Sequence, residues 1–147
     1  MHRSLQPAGF IRRSAALVYD VLLVFGVLVL VTALALALNG GEQVPAAWLR
    51  ALYLLTLYGF FAGFWLYGGQ TLGMRAWRLR LVEESGRAPT LRAATVRFAA
   101  ALLSWTACGL GHLWILIDGR NRAWHDRLSR TYVVRDADGD AALHGAP

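Results

Sequence analysis

Long apolar runs separated by short polar stretches dominate the pattern of the chain. Residues 21–38 carry Thr32 as their one polar side chain. As a helix this run would be roughly 27 Å long, close to the thickness of the hydrocarbon core of a bilayer. Residues 51–67 are interrupted by a single threonine and end in Trp65 and Tyr67, aromatic residues typical of a membrane interface. The pattern therefore predicts two transmembrane helices.

A third apolar run, residues 98–117, is less regular because Ser104, Gly109, Gly111 and His112 interrupt it. It admits two interpretations: a third full crossing, or a segment over residues 91–117 that turns back near the two glycines or lies largely in the membrane interface. Lipid tolerates such a break only where protein covers the exposed backbone groups. A cleaved signal peptide is an alternative for the first run, but that run is longer than the usual core of such peptides.

Two short segments depart from the helical pattern. Residues 77–82 alternate with period two, which is typical of a half-buried strand, and residues 83–86 supply a turn. Residues 131–134 form the other β-rich run. Two short strands are marginal alone and are most easily stabilised by pairing, which requires both to lie on the same side of the membrane. This favours a third segment that turns back over a straight third crossing.

The composition agrees with insertion into a membrane. Apolar residues make up 56% of the chain and charged residues only 16%, against about 25% charged in a typical soluble domain. This balance argues against a soluble globule and against a disordered chain. We therefore expect an all-α membrane protein with two transmembrane helices, a third broken, re-entrant or spanning helical segment, and a small cytoplasmic two-stranded β element. It forms one domain over residues 1–147, with a core at 7–135 and a flexible tail at 136–147.

The distribution of arginines predicts the orientation. The 15 basic residues are all arginines, and with 9 acidic residues they give a net charge of +6. They are frequent at the head and in residues 68–97, whereas the 39–50 connection carries only Arg50. By the positive-inside rule, the N-terminus and residues 68–97 lie in the cytoplasm. Nucleic-acid binding is disfavoured because apolar runs flank every basic cluster, and the single Cys108 excludes an intrachain disulfide.

Asp20 stands at the entrance of the first apolar run and is the strongest candidate site residue. An aspartate costs about 2.5–3.5 kcal/mol on insertion scales if it reaches the bilayer centre, so it needs a partner. Arg13 lies seven residues earlier, which returns to nearly the same helix face at an axial offset of roughly 10 Å. The pair is either a buried acid that binds or relays a cation or proton, or a structural ion pair that fixes the depth of the helix.

A second charged cluster occupies residues 118–127, after the third apolar run. It is either an ordinary solvated face or a polar cap in which Asp118 or Asp126 meets Arg12 or Arg13. His125 titrates near neutrality in its ordinary state and would suit proton coupling. These residues match no compact metal-ligand spacing, and the chain holds no nucleophile–base motif, so we expect neither a metal, a cofactor nor an enzyme.

These motifs, taken in order, resemble the RDD family of small bacterial membrane proteins, named for an arginine and two aspartates. The resemblance is carried by Arg12 and Arg13, Asp20, residues 69–73, residues 124–126 and residues 131–134. It implies that Arg13 is the family arginine, Asp20 the first aspartate and Asp126 the second. Many members have a lysine where Met74 stands and a glycine where Arg78 stands, which puts a role of that lysine in doubt here.

The resemblance implies residence in the bacterial plasma membrane and transport of an unidentified ligand, with sodium/proton antiport linked to some members. We therefore expect transport of an ion or small solute, with Asp20 as the ion or proton site, Arg13 as its tuning partner, and Asp126 with His125 at the cytoplasmic end. Two or three segments cannot enclose a pathway, so the lipid-embedded chain would act as a homo-oligomer. The rival function is a structural or accessory membrane protein whose charged trio is a folding clamp.

Overall fold

The computed structural model describes residues 7–107, 109–119 and 122–135. Cys108 and the tail predicted at 136–147 lie outside the described residues. The described chain is mostly helical, and its elements follow in the order α1 (Phe10–Leu38), α2 (Ala46–Gly68), α3 (Leu72–Ala76), β1 (Leu79–Glu83), α4 (Leu91–Thr106), α5 (Leu110–Leu113), a 3₁₀ turn (Trp114–Leu116), α6 (Trp124–Leu128) and β2 (Thr131–Arg135).

Two helices of the described chain, α1 and α2, are long and apolar enough to cross a membrane. Both predicted apolar runs are helical, and each helix begins before its run. The buried residues of α1 are Arg13, Ala16, Asp20 and Val24, a stripe with helical spacing that faces the rest of the protein. The stripe therefore puts Arg13 and Asp20 on one face, as the sequence predicts.

The third apolar run is bent. Thr90 caps α4 by accepting a hydrogen bond from the Ala93 amide at 3.3 Å, and the helix ends at Thr106. The chain then turns at Gly109, whose φ of 76° lies in the left-handed region that favours glycine. The helical segment that starts at Leu110 runs at 107° to α4. The break lies where the sequence predicts it, and a straight third helix is excluded.

The predicted pairing of the two β segments is confirmed. β1 and β2 are antiparallel, with Leu81 opposite Val133. β1 begins two residues later than predicted because the preceding turn extends through Arg78, whose φ of 52° is incompatible with a strand. The head joins the same sheet, since the Ala8 amide donates to the Val133 carbonyl at 2.9 Å. The sheet thus brings the head, the middle and the end of the described chain together.

The core lies at this end of the molecule. Its buried apolar residues come from the head, α1, α2, α3, the sheet and α4, and they are Ala8, Ala16, Ala62, Trp65, Met74, Leu79, Leu81, Ala94 and Val133. Beyond this core, most apolar side chains of α1 are exposed, and most of those of α2 are exposed or half-buried. The buried charged side chains Arg13, Asp20, Arg97 and Asp126 lie at the same end as the core.

Candidate functional site

Asp126 is the centre of a buried charge cluster. Its side chain is fully buried and contacts two guanidinium groups, with Nη1 of Arg13 at 2.5 Å from Oδ2 and Nη1 of Arg97 at 2.6 Å from Oδ1. Oδ2 also accepts the Ala123 amide at 3.0 Å, which fixes the aspartate at the start of α6. We call Arg13, Arg97 and Asp126 the charge clamp.

The arginines of the charge clamp extend it to the backbone and the sheet. Besides Asp126, Arg13 donates from Nε to the Ala8 carbonyl at 3.0 Å and from Nη2 to the Val133 carbonyl at 3.2 Å. Arg97 donates from Nη1 to Thr131 Oγ1 at 2.8 Å. The clamp therefore ties α1, α4, α6 and β2 together, and the contact predicted between Arg13 and Asp126 is present.

Burial and the neighbouring charges keep the carboxylate of Asp126 charged and the side chain of His125 neutral. Burial alone would raise the pKa of Asp126, but the positive charges of Arg97 and Arg13 outweigh it and hold that pKa well below its usual range. Burial and the charge of Arg97 lower the pKa of His125 to about 3. The prediction that His125 titrates near neutrality is therefore wrong, because burial and two nearby arginines both disfavour a third cation.

A pH titration checks the state of His125. Between the ordinary histidine pKa of about 6.5 and the folded value of about 3, the unfolded chain binds a proton that the folded chain does not. The free energy of unfolding should therefore fall as the pH drops through this window, by up to about 1.4 kcal/mol per unit. In thermal unfolding of the purified His125→Gln protein, the free energy of unfolding should decline less steeply between pH 6.5 and 4.5 than it does in the wild type. Equal slopes would mean that His125 is protonated in the fold.

Asp20 has other partners than the sequence predicts. It is buried, with 3% of its surface exposed, and its carboxylate accepts the Thr71 hydroxyl at 2.5 Å and the Gly73 amide at 2.7 Å. The predicted pairing with Arg13 is wrong, because the three guanidinium nitrogens of Arg13 are taken up by Asp126, Ala8 and Val133. Asp20 thus lies at the N-terminus of α3 with two uncharged donors.

Two other predicted residues lie outside the charge clamp. Arg12 is exposed on α1. Asp118 pairs with Arg127 and accepts the Arg122 amide at 2.8 Å. Of the two candidate aspartates in residues 118–127, Asp126 is the one that contacts Arg13, because α6 directs its side chain inward. Asp118 bonds to neighbours in its own segment.

Arg97 was not predicted from the sequence as a site residue. It shares one face of α4 with other buried residues at helical spacing, namely Ala93, Ala94, Ala100 and Ser104. An arginine within a stripe of small residues is the signal that could have found it, since a solvent-facing arginine would break that stripe. Thr71 and Gly73 belong to the family-like motif at 69–73, yet nothing in the sequence alone pairs them with Asp20.

A cavity of about 500 Å³ is lined by Asp20 and by the two arginines of the charge clamp. Its polar wall includes Arg13, Asp20, Arg97, His112 and His125, and the remainder is largely apolar side chains of α1, α2 and α4. Among the described residues, no group of three or more His, Cys, Asp and Glu side chains is placed to hold a metal ion. The cavity is thus apolar over most of its wall and charged where it meets the clamp.

Comparison with known proteins identifies the family. The model of the RDD family matches residues 7–130, which include Arg13, Asp20 and Asp126. The chain belongs to the RDD family. This RDD chain is also 30% identical over 86 residues to an uncharacterized protein of Rickettsia prowazekii (strain Madrid E). The match covers 58% of this chain and 47% of that relative, so the chain spans about half of the relative's length. No solved structure matches the chain.

Proposed function

We propose that this RDD protein is a multi-pass protein of the bacterial plasma membrane, with its N-terminus and its sheet in the cytoplasm. The family membership and two long apolar helices support insertion. Leu22, Phe25 and Leu30 each expose about two thirds of their surface on α1, and lipid is the environment that covers such side chains. The arginines of the sheet region support the orientation, and the 107° bend supports a third segment that turns back to the same side.

Within the membrane, the protein exchanges a cation for a proton, and Asp20 is the group that binds them. The observation that carries this proposal is that Asp20 is a buried carboxylate on a cavity wall whose hydrogen-bond donors, Thr71 and Gly73, carry no charge. A carboxylate in a membrane helix without a cationic side chain bound to it is stabilised by binding a proton or a cation. One copy encloses no complete pathway, so the proposal includes a homo-oligomer.

Asp126 is excluded from this role by its partners. Both carboxylate oxygens are occupied by guanidinium groups, and the two positive charges oppose protonation and the approach of another cation. The charge clamp is therefore the structural part of the family signature, and Asp20 is the part available for chemistry. Of the three signature residues, Arg13 and Asp126 thus have the structural role and Asp20 has the role in ion or proton binding.

Proton movement in proteoliposomes tests the role of Asp20. The full chain is reconstituted with a pH-sensitive dye inside the vesicles, and a sodium or potassium gradient is imposed. We expect Asp20→Asn to reduce cation-driven proton movement at least about tenfold, because an amide cannot exchange a proton. The matched control is Glu84→Gln, the same chemical change at an exposed position (58% of the side chain), and it should retain the wild-type rate. Asp20→Asn moving protons at the wild-type rate would refute the proposal.

A structural role is the second candidate, and one observation favours it. Asp20 also fastens α3 to α1 through its two hydrogen bonds. If Asp20 only holds α3, Asp20→Asn should lower the thermal midpoint while vesicles of the wild-type protein show no cation-driven proton movement. The transport proposal expects movement by the wild type and its loss in a variant that still elutes as a folded species.

A further inference from the structure

Arg97 is a buried guanidinium with donors to spare. Its side chain is 7% exposed, and Nη1 donates to both Asp126 and Thr131. Nε and Nη2 have no acceptor among the described residues. In that part of the chain, His125 Nδ1 is the one fully buried side-chain nitrogen or oxygen without a hydrogen bond. The free nitrogens of Arg97 therefore keep accessible surface, and the space that Arg97 lines is the cavity.

The free edge of Arg97 has the geometry of an anion site. Two parallel N–H groups of a guanidinium match the two oxygens of a carboxylate or a phosphate. The charge agrees at the clamp itself, since it contains two arginines and one aspartate and His125 stays neutral, while the carboxylate of Asp20 is held separately by Thr71 and Gly73. A buried positive charge in excess beside an open cavity favours an anionic group there.

The remainder of the cavity has the shape and polarity for an acyl chain. Along α1 its wall extends from Arg13 and Asp20 to Val24, Phe25 and Leu28, a distance of roughly 22 Å at 1.5 Å per residue. The polar residues lie toward the Arg13 end and the apolar ones toward the Leu28 end. A volume of about 500 Å³ is within the range of small-molecule pockets. It suits one chain rather than a whole two-chain phospholipid.

We propose that the cavity binds a single-chain anionic amphiphile, with its carboxylate or phosphate head on Arg97 and its chain between α1, α2 and α4. This binding does not depend on the exchange proposed at Asp20, because it requires no ion movement. The carboxylate of Asp20 lies on the same wall and opposes an anion, so Asp20→Asn should bind the amphiphile more tightly than the wild type.

Equilibrium binding of tritiated palmitate tests the site. The full chain is placed in phosphatidylcholine nanodiscs, and empty nanodiscs give the background. Uncharged hexadecanol has the same chain without the anion, and lysophosphatidate of the same chain length carries a phosphate head. We expect palmitate or lysophosphatidate to bind at least about tenfold more tightly than hexadecanol, in keeping with charge-assisted hydrogen bonds. The tighter of the two identifies the head group. Equal binding of all three would overturn the proposal.

Two variants locate the site. Ala101→Phe fills the cavity wall on α4, whereas Ala99→Phe makes the same change at an exposed position of the same helix. We expect Ala101→Phe to weaken binding of the anion at least about tenfold and Ala99→Phe to leave it unchanged. Arg97→Lys keeps a positive charge beside Asp126 but loses the paired N–H donors. It should therefore weaken the binding of the anion and leave the binding of hexadecanol unchanged. If Arg97→Lys fails to fold, the comparison of Ala101→Phe with Ala99→Phe decides. Equal binding of the anion by these two variants refutes the site.

Discussion

Replacing Asp126 with asparagine is expected to abolish most of the folded protein. The change leaves Arg13 and Arg97 buried, 5% and 7% exposed at their side chains, without the carboxylate that neutralises them. Breaking a buried ion pair by removing one partner costs about 3–5 kcal/mol, a large share of the roughly 5–15 kcal/mol by which proteins are stable. Size-exclusion chromatography in detergent should show aggregate in place of a single peak, and any folded remainder should have a much lower thermal midpoint.

Two further variants show whether the loss of stability comes from the unpaired buried charge of the clamp. Glu84→Gln removes an exposed carboxylate that lies 3.6 Å from Arg122, and it should behave as wild type. Arg97→Met leaves Arg13 and Asp126 as a neutral pair, so its loss of stability should be smaller than that of Asp126→Asn. A thermal midpoint of Asp126→Asn close to that of Glu84→Gln would show that the clamp does not stabilise the fold.

Replacing Gly73 with alanine is expected to separate α3 from α1. A Cβ atom at this position would overlap the carbonyl oxygen of Ala16 and approach the carboxylate carbon of Asp20 to 2.9 Å. Backbone cannot move aside as a flexible side chain does, so the hydrogen bond from the Gly73 amide to Asp20 must lengthen or break. Overpacking of this kind costs about 1–3 kcal/mol, to which the loss of a charged hydrogen bond adds. The thermal midpoint of the purified variant measures the cost.

Gly63→Ala is the matched control for this change. Gly63 lies within α2, and a Cβ built there meets nothing within 4 Å. Alanine in a helix is more favourable than glycine by roughly 0.5–1 kcal/mol, so this control should be neutral or slightly stabilising. A Gly73→Ala protein as stable as Gly63→Ala would mean that α3 is not seated against α1 as described.

Much of the fold follows from local sequence patterns. The two apolar runs, the alternation before the turn at 83–86 and the glycine at 109 are local signals, and each predicted the correct type of element, although β1 begins two residues later than predicted. The pairing of β1 with β2 followed from a physical restriction, because two isolated strands of this length have few other ways to bond their backbone.

The partners of the buried charges were harder to predict. Helix periodicity places Arg13 and Asp20 on one face, but it carries no information about what packs against that face. Asp126 reaches Arg13 from more than a hundred residues away in the chain. Thr71 and Gly73 reach Asp20 because α2 reverses the chain and places α3 beside α1. Arg97 was hard to identify from the sequence because it lies immediately before the apolar run at 98–117, where an arginine is typical of the flank of a membrane segment.

One departure from the family pattern has a simple physical reading. Arg78 stands where the resemblance to the family implies a glycine, and its φ of 52° lies in the left-handed region. Glycine adopts that conformation at lower cost than an arginine does.

Arg13 binds Asp126 and not Asp20, and a double-mutant cycle measures these two couplings. Thermal unfolding of the purified protein is compared for Arg13→Met, Asp126→Asn and the double variant, and again with Asp20→Asn in place of Asp126→Asn. Direct partners share a coupling free energy of about 0.5–3 kcal/mol, whereas independent sites are additive within about 0.5 kcal/mol. We predict strong coupling in the first cycle and additivity in the second. Additivity of Arg13 with Asp126, together with coupling of Arg13 to Asp20, would contradict the account.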